Sequence, residues 1–204
     1  TAYLKNELTD QEILMSILSN HATSSVVRVE GEIDINDLNR GDYSGEEVAK
    51  RMERASVLAQ VDIHRAATHN KGVMNGIHAV VLATGNDTRG AEASAHAYAA
   101  RDGQYRGMAT WKYDEARGRL VGTIEVPMTL AIVGGGTKVL PIAKASLDLL
   151  NVESARELGH VVAAVGLAQN FSACRALVSE GIQKGHMSLQ YKSLVIVVGA
   201  KGEE

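Results

Sequence analysis

The chain has 204 residues, 45% of them apolar and 22% charged, with a net charge of −3 and a single cysteine. That is enough for one good-sized domain or pieces of two, and bases scattered evenly among acids exclude the electrostatic footprint of a nucleic-acid binder. One cysteine, Cys174, excludes an intrachain disulfide.

Taken in chain order, polar Lys5, Asn6, Glu7 and Asp10 predict no secretory leader. Thr9-Asp10-Gln11-Glu12 has the capping-box pattern ahead of Ile13, Leu14, Ile17 and Leu18, and predicts a short amphipathic helix. Val27 and Val29 alternating with Arg28 and Glu30 predict a half-exposed strand that enters a polar loop over 34–42. Ser44-Gly45-Glu46-Glu47 is a second capping box, and Val48, Met52, Ala55 and Ala59 predict a helix over 44–60.

The run Asp62 to Asp87 is the densest in directional chemistry. Arg65, Thr68, His69, Asn70, Lys71 and Asn75 read as functional side chains rather than core filling, with Gly72 and Gly76 letting the backbone turn and approach a ligand. Asp87 reads as the cap of a helix over about 87–101, stopped by Gly103. Strands are predicted at 110–113 and 120–126, joined by a hairpin loop at 114–118, with Trp111 as packing and Pro127 closing the second strand. Gly134, Gly135 and Gly136 precede a helix reaching about Leu150, a geometry that can present backbone N–H groups to a phosphate, although the GxxxxGK[ST] spacing is absent. Ser154 to Glu157 cap a long apolar helix whose Leu167, Phe171, Cys174 and Val178 share a core face, with no activating partner for the thiol. Gly181 and Gly185 flank Ile182-Gln183-Lys184 and predict a hinge carrying His186, a possible lid-borne proton donor. His21, His64, His69, His78, His96 and His160 show no metal-ligand spacing, so no metal is expected. The longest apolar runs, around Val161–Ala168 and the strand-like Leu194–Val198, fall short of the roughly 18–20 residues of a membrane span, so a cytoplasmic protein without a membrane partner is expected.

Arg65-Ala66-Ala67-Thr68-His69-Asn70-Lys71-Gly72-Val73-Met74-Asn75-Gly76, followed by Ala83-Thr84-Gly85-Asn86-Asp87, resembles the catalytic segment of the class II hydroxymethylglutaryl-coenzyme A (HMG-CoA) reductases. The likeness continues through Arg101-Asp102-Gly103, Val133 to Pro141, Ala163 to Asn170 and Glu180 to Met187, and covers most of 44–200. It implies an α+β fold with helices dominating: the end of a small NAD(P)-binding domain over 1–24, a large catalytic and dimerisation domain with a short antiparallel hairpin over 25–180, and the start of a C-terminal flap over 181–204.

The resemblance further implies the interconversion of HMG-CoA and mevalonate plus coenzyme A, a step of isoprenoid biosynthesis, with two NAD(H) or NADP(H) used in succession and at least a homodimer as the working unit. Lys71 would stabilise the thioester oxyanion, Asp87 would hold its ammonium, and His186 would protonate the coenzyme A thiolate. Arg65 would grip the substrate's free carboxylate and Asn75 would orient Lys71 or a substrate oxygen. The family's GTVGG-type run corresponds to the glycines 134–136, with Ala131-Ile132 where Gly-Thr is usual; cofactor wall and close backbone packing are both open for them. The family's catalytic glutamate and DAMGxN-type dinucleotide motif have no counterpart in these residues. A catalytically incomplete fragment, or a non-catalytic assembly partner, is the alternative reading.

Overall fold

Along residues 119–127 every second side chain, Leu120, Gly122, Ile124 and Val126, is buried, and that alternation marks the strand the rest packs around. The computed structural model describes residues 2–8 and 10–199, with the side chains of residues 2, 5, 138, 182–186, 188, 189 and 192 outside that description. Strand β3 (Arg119–Pro127) lies between β1 (Val26–Asp34) and β2 (Ala109–Asp114) in a three-stranded antiparallel sheet. The register runs Val26 against Pro127 to Asp34 against Arg119 on one side, and Ala109 against Ile124 on the other. Trp111 stands opposite Gly122, where an added methyl would sit 2.3 Å from the indole ring, so glycine makes room for the largest side chain of the core.

The helices are α1 (Ala2–Glu7), α2 (Gly45–Val61), α3 (Ile63–Ala83), α4 (Thr88–Ala99), α5 (Gly135–Val139), α6 (Pro141–Leu150), α7 (Ala155–Val178) and α8 (Ile182–Val197). The fold is thus the expected helix-rich α+β, with the hairpin in place. The Ser44 capping box forms as its letters predict, with Ser44 accepting from Glu47 N–H and Glu47 accepting in return from Ser44 N–H. Helix α7 packs along α3 and across β1 and β3, burying Leu158, Val162, Ala163, Leu167 and Cys174. It is also the one described helix long and apolar enough to cross a membrane, 24 residues with a window of mean hydropathy 1.4. Counting uninterrupted apolar runs missed this because small and polar residues break the run while the average over the window stays high. Here its apolar face is core.

Five sequence expectations fail locally. Residues 13–18 form no helix, and Leu14, Met15, Ile17 and Leu18 are 73–93% exposed, because a short amphipathic turn holds only when its stripe is covered. Helix α3 runs unbroken through Gly72 and Gly76, where turns were expected. Glycine at 76 serves helix contact instead: a methyl there would lie 2.7 Å from the Val165 carbonyl oxygen, and one on Gly166 would lie 2.9 Å from Ile77 Cγ1. The helix expected to reach Leu150 is two helices, because Leu140 is extended ahead of Pro141, which has no N–H to continue the first. Gly181 has φ +83° and ends α7's exit turn, but Gly185 is inside α8, so only one of the two glycines expected to flank a hinge lies outside a helix. The strand-like run at 194–198 belongs largely to α8.

The two glycines of α3 should answer alanine with opposite signs. Gly76→Ala is expected to lose about 1–3 kcal/mol by overpacking against fixed backbone. Gly72→Ala, whose methyl meets only Ala173 Cβ at 4.0 Å, is expected to gain about 0.5–1 kcal/mol from helix propensity. Urea midpoints of the two variants check the pair.

Candidate functional site

Asp62 starts α3 by accepting from the His64 N–H at 2.8 Å, and the helix then splits its polar residues between two faces. His69 and Asn70 face inward, 1% and 0% exposed, alongside Ala66, Val73 and Ile77. They are core residues, contrary to the sequence reading. Asn70 donates to the Arg106 carbonyl at 2.8 Å and accepts from the Met108 N–H at 2.7 Å, while His69 Nε2 lies 2.9 Å from the Ala109 carbonyl. A carbonyl only accepts, so Nε2 carries the proton and Nδ1 keeps its lone pair. The 66, 69, 70, 73, 77 spacing was the available signal that these two polar residues share the buried stripe.

Cys174, expected to stand without partners, closes a buried polar cluster. Its sulfur is 3.7 Å from Asn170 Oδ1, 3.9 Å from His69 Nδ1 and 3.8 Å from Arg65 Nη2, and Asn170 Oδ1 also accepts from the Trp111 indole N–H at 2.8 Å. Burial pushes the Cys174 thiol up, against the pull of the Arg65 charge. Burial, helped by the same guanidinium, pulls His69 down to about 4. Half-buried Arg65 is therefore anchored at the α3–α7 contact. Sequence reasoning missed this cluster because its members are up to 109 residues apart.

The outward face of α3 is a continuous stripe of His64, Thr68, Lys71, Asn75, Ala79 and Leu82. Lys71 and Asn75 sit one turn apart on it, within reach of one another. Lys71 is exposed and forms no hydrogen bond or ion pair among the described residues. Asp87 lies past the far end of the same helix. It caps α4, Oδ1 accepting from Arg89 and Gly90 N–H at 3.1 and 3.0 Å, while Oδ2 takes no hydrogen bond among the described residues. Twelve residues of helix between Lys71 and Ala83 span about 18 Å along the axis, and the chain then turns back, Asn86 N–H donating to the Val81 carbonyl at 3.0 Å just ahead of Asp87. Among the described residues the Lys71 ammonium and the Asp87 carboxylate of one chain form no ion pair.

What meets the glycine loop is the turn just ahead of Asp87. The Gly85 turn, φ +68°, rests against Gly136 and Ala143, and a methyl on Gly136 would lie 3.0 Å from the Gly85 carbonyl oxygen. Gly136 is thus close packing. Gly134 and Gly135 face open space, with nothing within 4 Å of an added methyl. Beside them is a cavity of about 560 Å³ lined by Ile132, Val133, Thr137, Lys144, Leu147 and Asp148. Its wall mixes apolar Ile132, Val133 and Leu147 with Thr137 and the Lys144–Asp148 ion pair, a lining that could take one side of a nicotinamide dinucleotide; the following helix α5 has five residues, too short to serve as a phosphate-binding terminus. His186 lies on the backbone of α8, and its side chain is outside the described residues. Among the described residues no group of three His, Cys, Asp or Glu side chains could hold a metal ion.

A family model described as hydroxymethylglutaryl-coenzyme A reductase matches residues 1–191. The chain belongs to that family. It is 48% identical over 197 residues to the 3-hydroxy-3-methylglutaryl-coenzyme A reductase of Archaeoglobus fulgidus, covering 97% of this chain and 44% of that protein. It is 36% identical over 190 residues to a probable enzyme of the same name from Borreliella burgdorferi, covering 93% and 44%. A solved HMG-CoA reductase from Streptococcus pneumoniae matches all of this chain and 48% of its own, with a TM-score of 0.83 at 48% identity. A class II enzyme from the same organism, bound to NADPH in open conformations, matches 98% of this chain and 48% of its own, with a TM-score of 0.81 at 49% identity. The chain therefore spans about half the length of the relatives it matches.

Proposed function

We propose that this chain is the substrate-side half of an oxidoreductase that interconverts HMG-CoA and mevalonate plus coenzyme A. The observation that supports it most is an ammonium without hydrogen bond or ion pair among the described residues, Lys71, on an exposed helical stripe with Asn75 one turn away, inside a chain of this family. Two NAD(P)H molecules, bound one after the other, would each supply one hydride. Hydride addition to the thioester carbon leaves negative charge on the carbonyl oxygen, and Lys71 is the cation aimed at it. The carbon–sulfur bond then breaks, the sulfur leaves as thiolate and takes a proton, and His186 is assigned that transfer from the resemblance alone. The resulting aldehyde accepts the second hydride on carbon and a proton on oxygen. We assign Arg65 to the carboxylate of the substrate and Asn75 to orienting the Lys71 amine, the second supported by their spacing of one helical turn.

Asp87 completes the site from a second copy. Ala79 stands midway in number between Lys71 and Asp87 on the exposed stripe, next to Leu82, which is 71% exposed. Two antiparallel α3 helices crossing at Ala79 about a two-fold axis would bring each lysine to the other copy's Asp87, with a small residue at the point of closest approach. We assign residues 1–24, 25–180 and 181–204 to the cofactor domain, the large domain and the flap. The start of β1 at Val26 and the positive φ of Gly181 ahead of α8 support those boundaries.

Complementation tests the shared site. Full-length Lys71→Ala and Asp87→Asn proteins are each expected to be nearly inactive, and unfolding and refolding them together should restore about a quarter of wild-type activity, because half of the dimers then hold one intact site of two. No recovery on mixing, with dimers present, rules out a lysine and an aspartate from different copies.

A further inference from the structure

The geometry points to Asn86 as a positioning residue that holds the Asp87 turn and the glycine loop as one unit. Its side chain reads the backbone of Ala131 at both ends: Oδ1 accepts from the Ala131 N–H at 2.7 Å and Nδ2 donates to the Ala131 carbonyl at 3.1 Å. The pairing copies one rung of an antiparallel ladder between two segments that form no sheet. The same Nδ2 lies 3.1 Å from Thr84 Oγ1, and buried Thr84 donates in turn to the Val80 carbonyl at 2.8 Å, the last turn of α3. One amide therefore ties together the end of α3, the turn that carries Asp87, and the loop leading to Gly134.

The surroundings leave little slack for that tie. Gly85 and Gly136 meet backbone to backbone, with no side chain between them to act as a cushion, and Ala143 Cβ closes the other side of Gly85. A shift at residue 131 is therefore passed to residue 86 through two hydrogen bonds, and the neighbouring Asp87 moves with it. Asparagine is the side chain suited to the task, because the site needs a donor and an acceptor at fixed separation. Aspartate would keep the Ala131 N–H bond, lose the donation to the carbonyl, and set a second charge beside Asp87.

This inference rests on the functional reading above, in which Asp87 acts on the reacting centre and the glycine loop borders the cofactor. The experiment is steady-state kinetics of full-length wild type, Asn86→Asp, Asn86→Ser and Asp87→Asn with HMG-CoA and NADPH, together with their melting temperatures. Asn86→Asp is expected to lower kcat and raise the KM for NADPH, for a combined loss of ~10–100-fold, with the KM for HMG-CoA within about twofold of wild type and the melting temperature little changed. Its activity relative to wild type should recover as pH falls through the range where the new carboxyl protonates, since the neutral acid again offers one donor and one acceptor. Asn86→Ser, which removes both bonds to Ala131 without adding charge, should show the same split with no recovery at low pH, and it answers the question if Asn86→Asp does not fold. Unchanged kinetics in both Asn86 variants while Asp87→Asn is impaired would overturn the inference and leave the functional reading standing. A loss of activity that only parallels a fall in melting temperature would overturn it as well. Full activity in Asp87→Asn would sink the functional reading itself.

Discussion

Lys71→Ala in the full-length protein is expected to lower kcat for HMG-CoA reduction by about 10²–10³, the usual cost of removing one group that stabilises a developing oxyanion. The KM for HMG-CoA should move far less, because the charge that lysine meets is small in the bound thioester and full only once hydride has arrived. Lys71→Arg should recover little, since a planar fork does not replace a point cation aimed at a single oxygen. Stability provides the control. Lys71 is exposed and carries no hydrogen bond or ion pair among the described residues, so the substitution should change folding free energy by no more than about 0.5 kcal/mol. Lost activity in a protein with wild-type melting behaviour isolates the chemistry; an unchanged rate removes Lys71 from the mechanism.

Acid should weaken the fold through His69. The ring is held neutral inside the core, its pKa pulled from 6.5 to about 4 chiefly by burial and then by the Arg65 charge. Between those two pH values the unfolded chain binds a proton that the folded chain refuses, so stability is complete above about pH 6.5 and falls as pH drops toward 4. That interval is worth ~3 kcal/mol. The loss has a local cause: an imidazolium would face the Arg65 guanidinium and lose the Nδ1 lone pair that faces Cys174 Sγ at 3.9 Å. Urea midpoints measured from pH 7 to pH 4 should show this slope in the wild type and a flatter one in His69→Gln, even though the variant starts lower. Parallel profiles would mean that some other group carries the acid sensitivity.

Both predictions concern residues of one helix that the sequence presented as alike. His69 and Lys71 are two apart in a run dense with polar letters, yet a 100° step per residue sends them to opposite faces. The periodicity that separates them was legible in Ala66, Val73 and Ile77; what was not legible was that a tryptophan, an asparagine and a cysteine from distant segments would meet the inward ones. Lys71 and Asp87 are sixteen apart in number, yet twelve of those steps are unbroken helix, and within one chain the two form no ion pair among the described residues.

By itself the sequence determined what depends on neighbours a few residues away: the Ser44 capping box, the Asp87 cap, the 109–127 hairpin and the family likeness of the 65–87 run. Those features are short-range hydrogen bonds and strings of letters, and both are complete before any chain crosses another. Only the tertiary structure decided why Gly76 and Gly166 are glycines, that Cys174 braces Arg65, that Asn86 grips a loop 45 residues on, and that the apolar residues 14–18 form no helix. Each of these is settled by which surface arrives from elsewhere in the chain, or fails to arrive, and that depends on packing rather than on local preference.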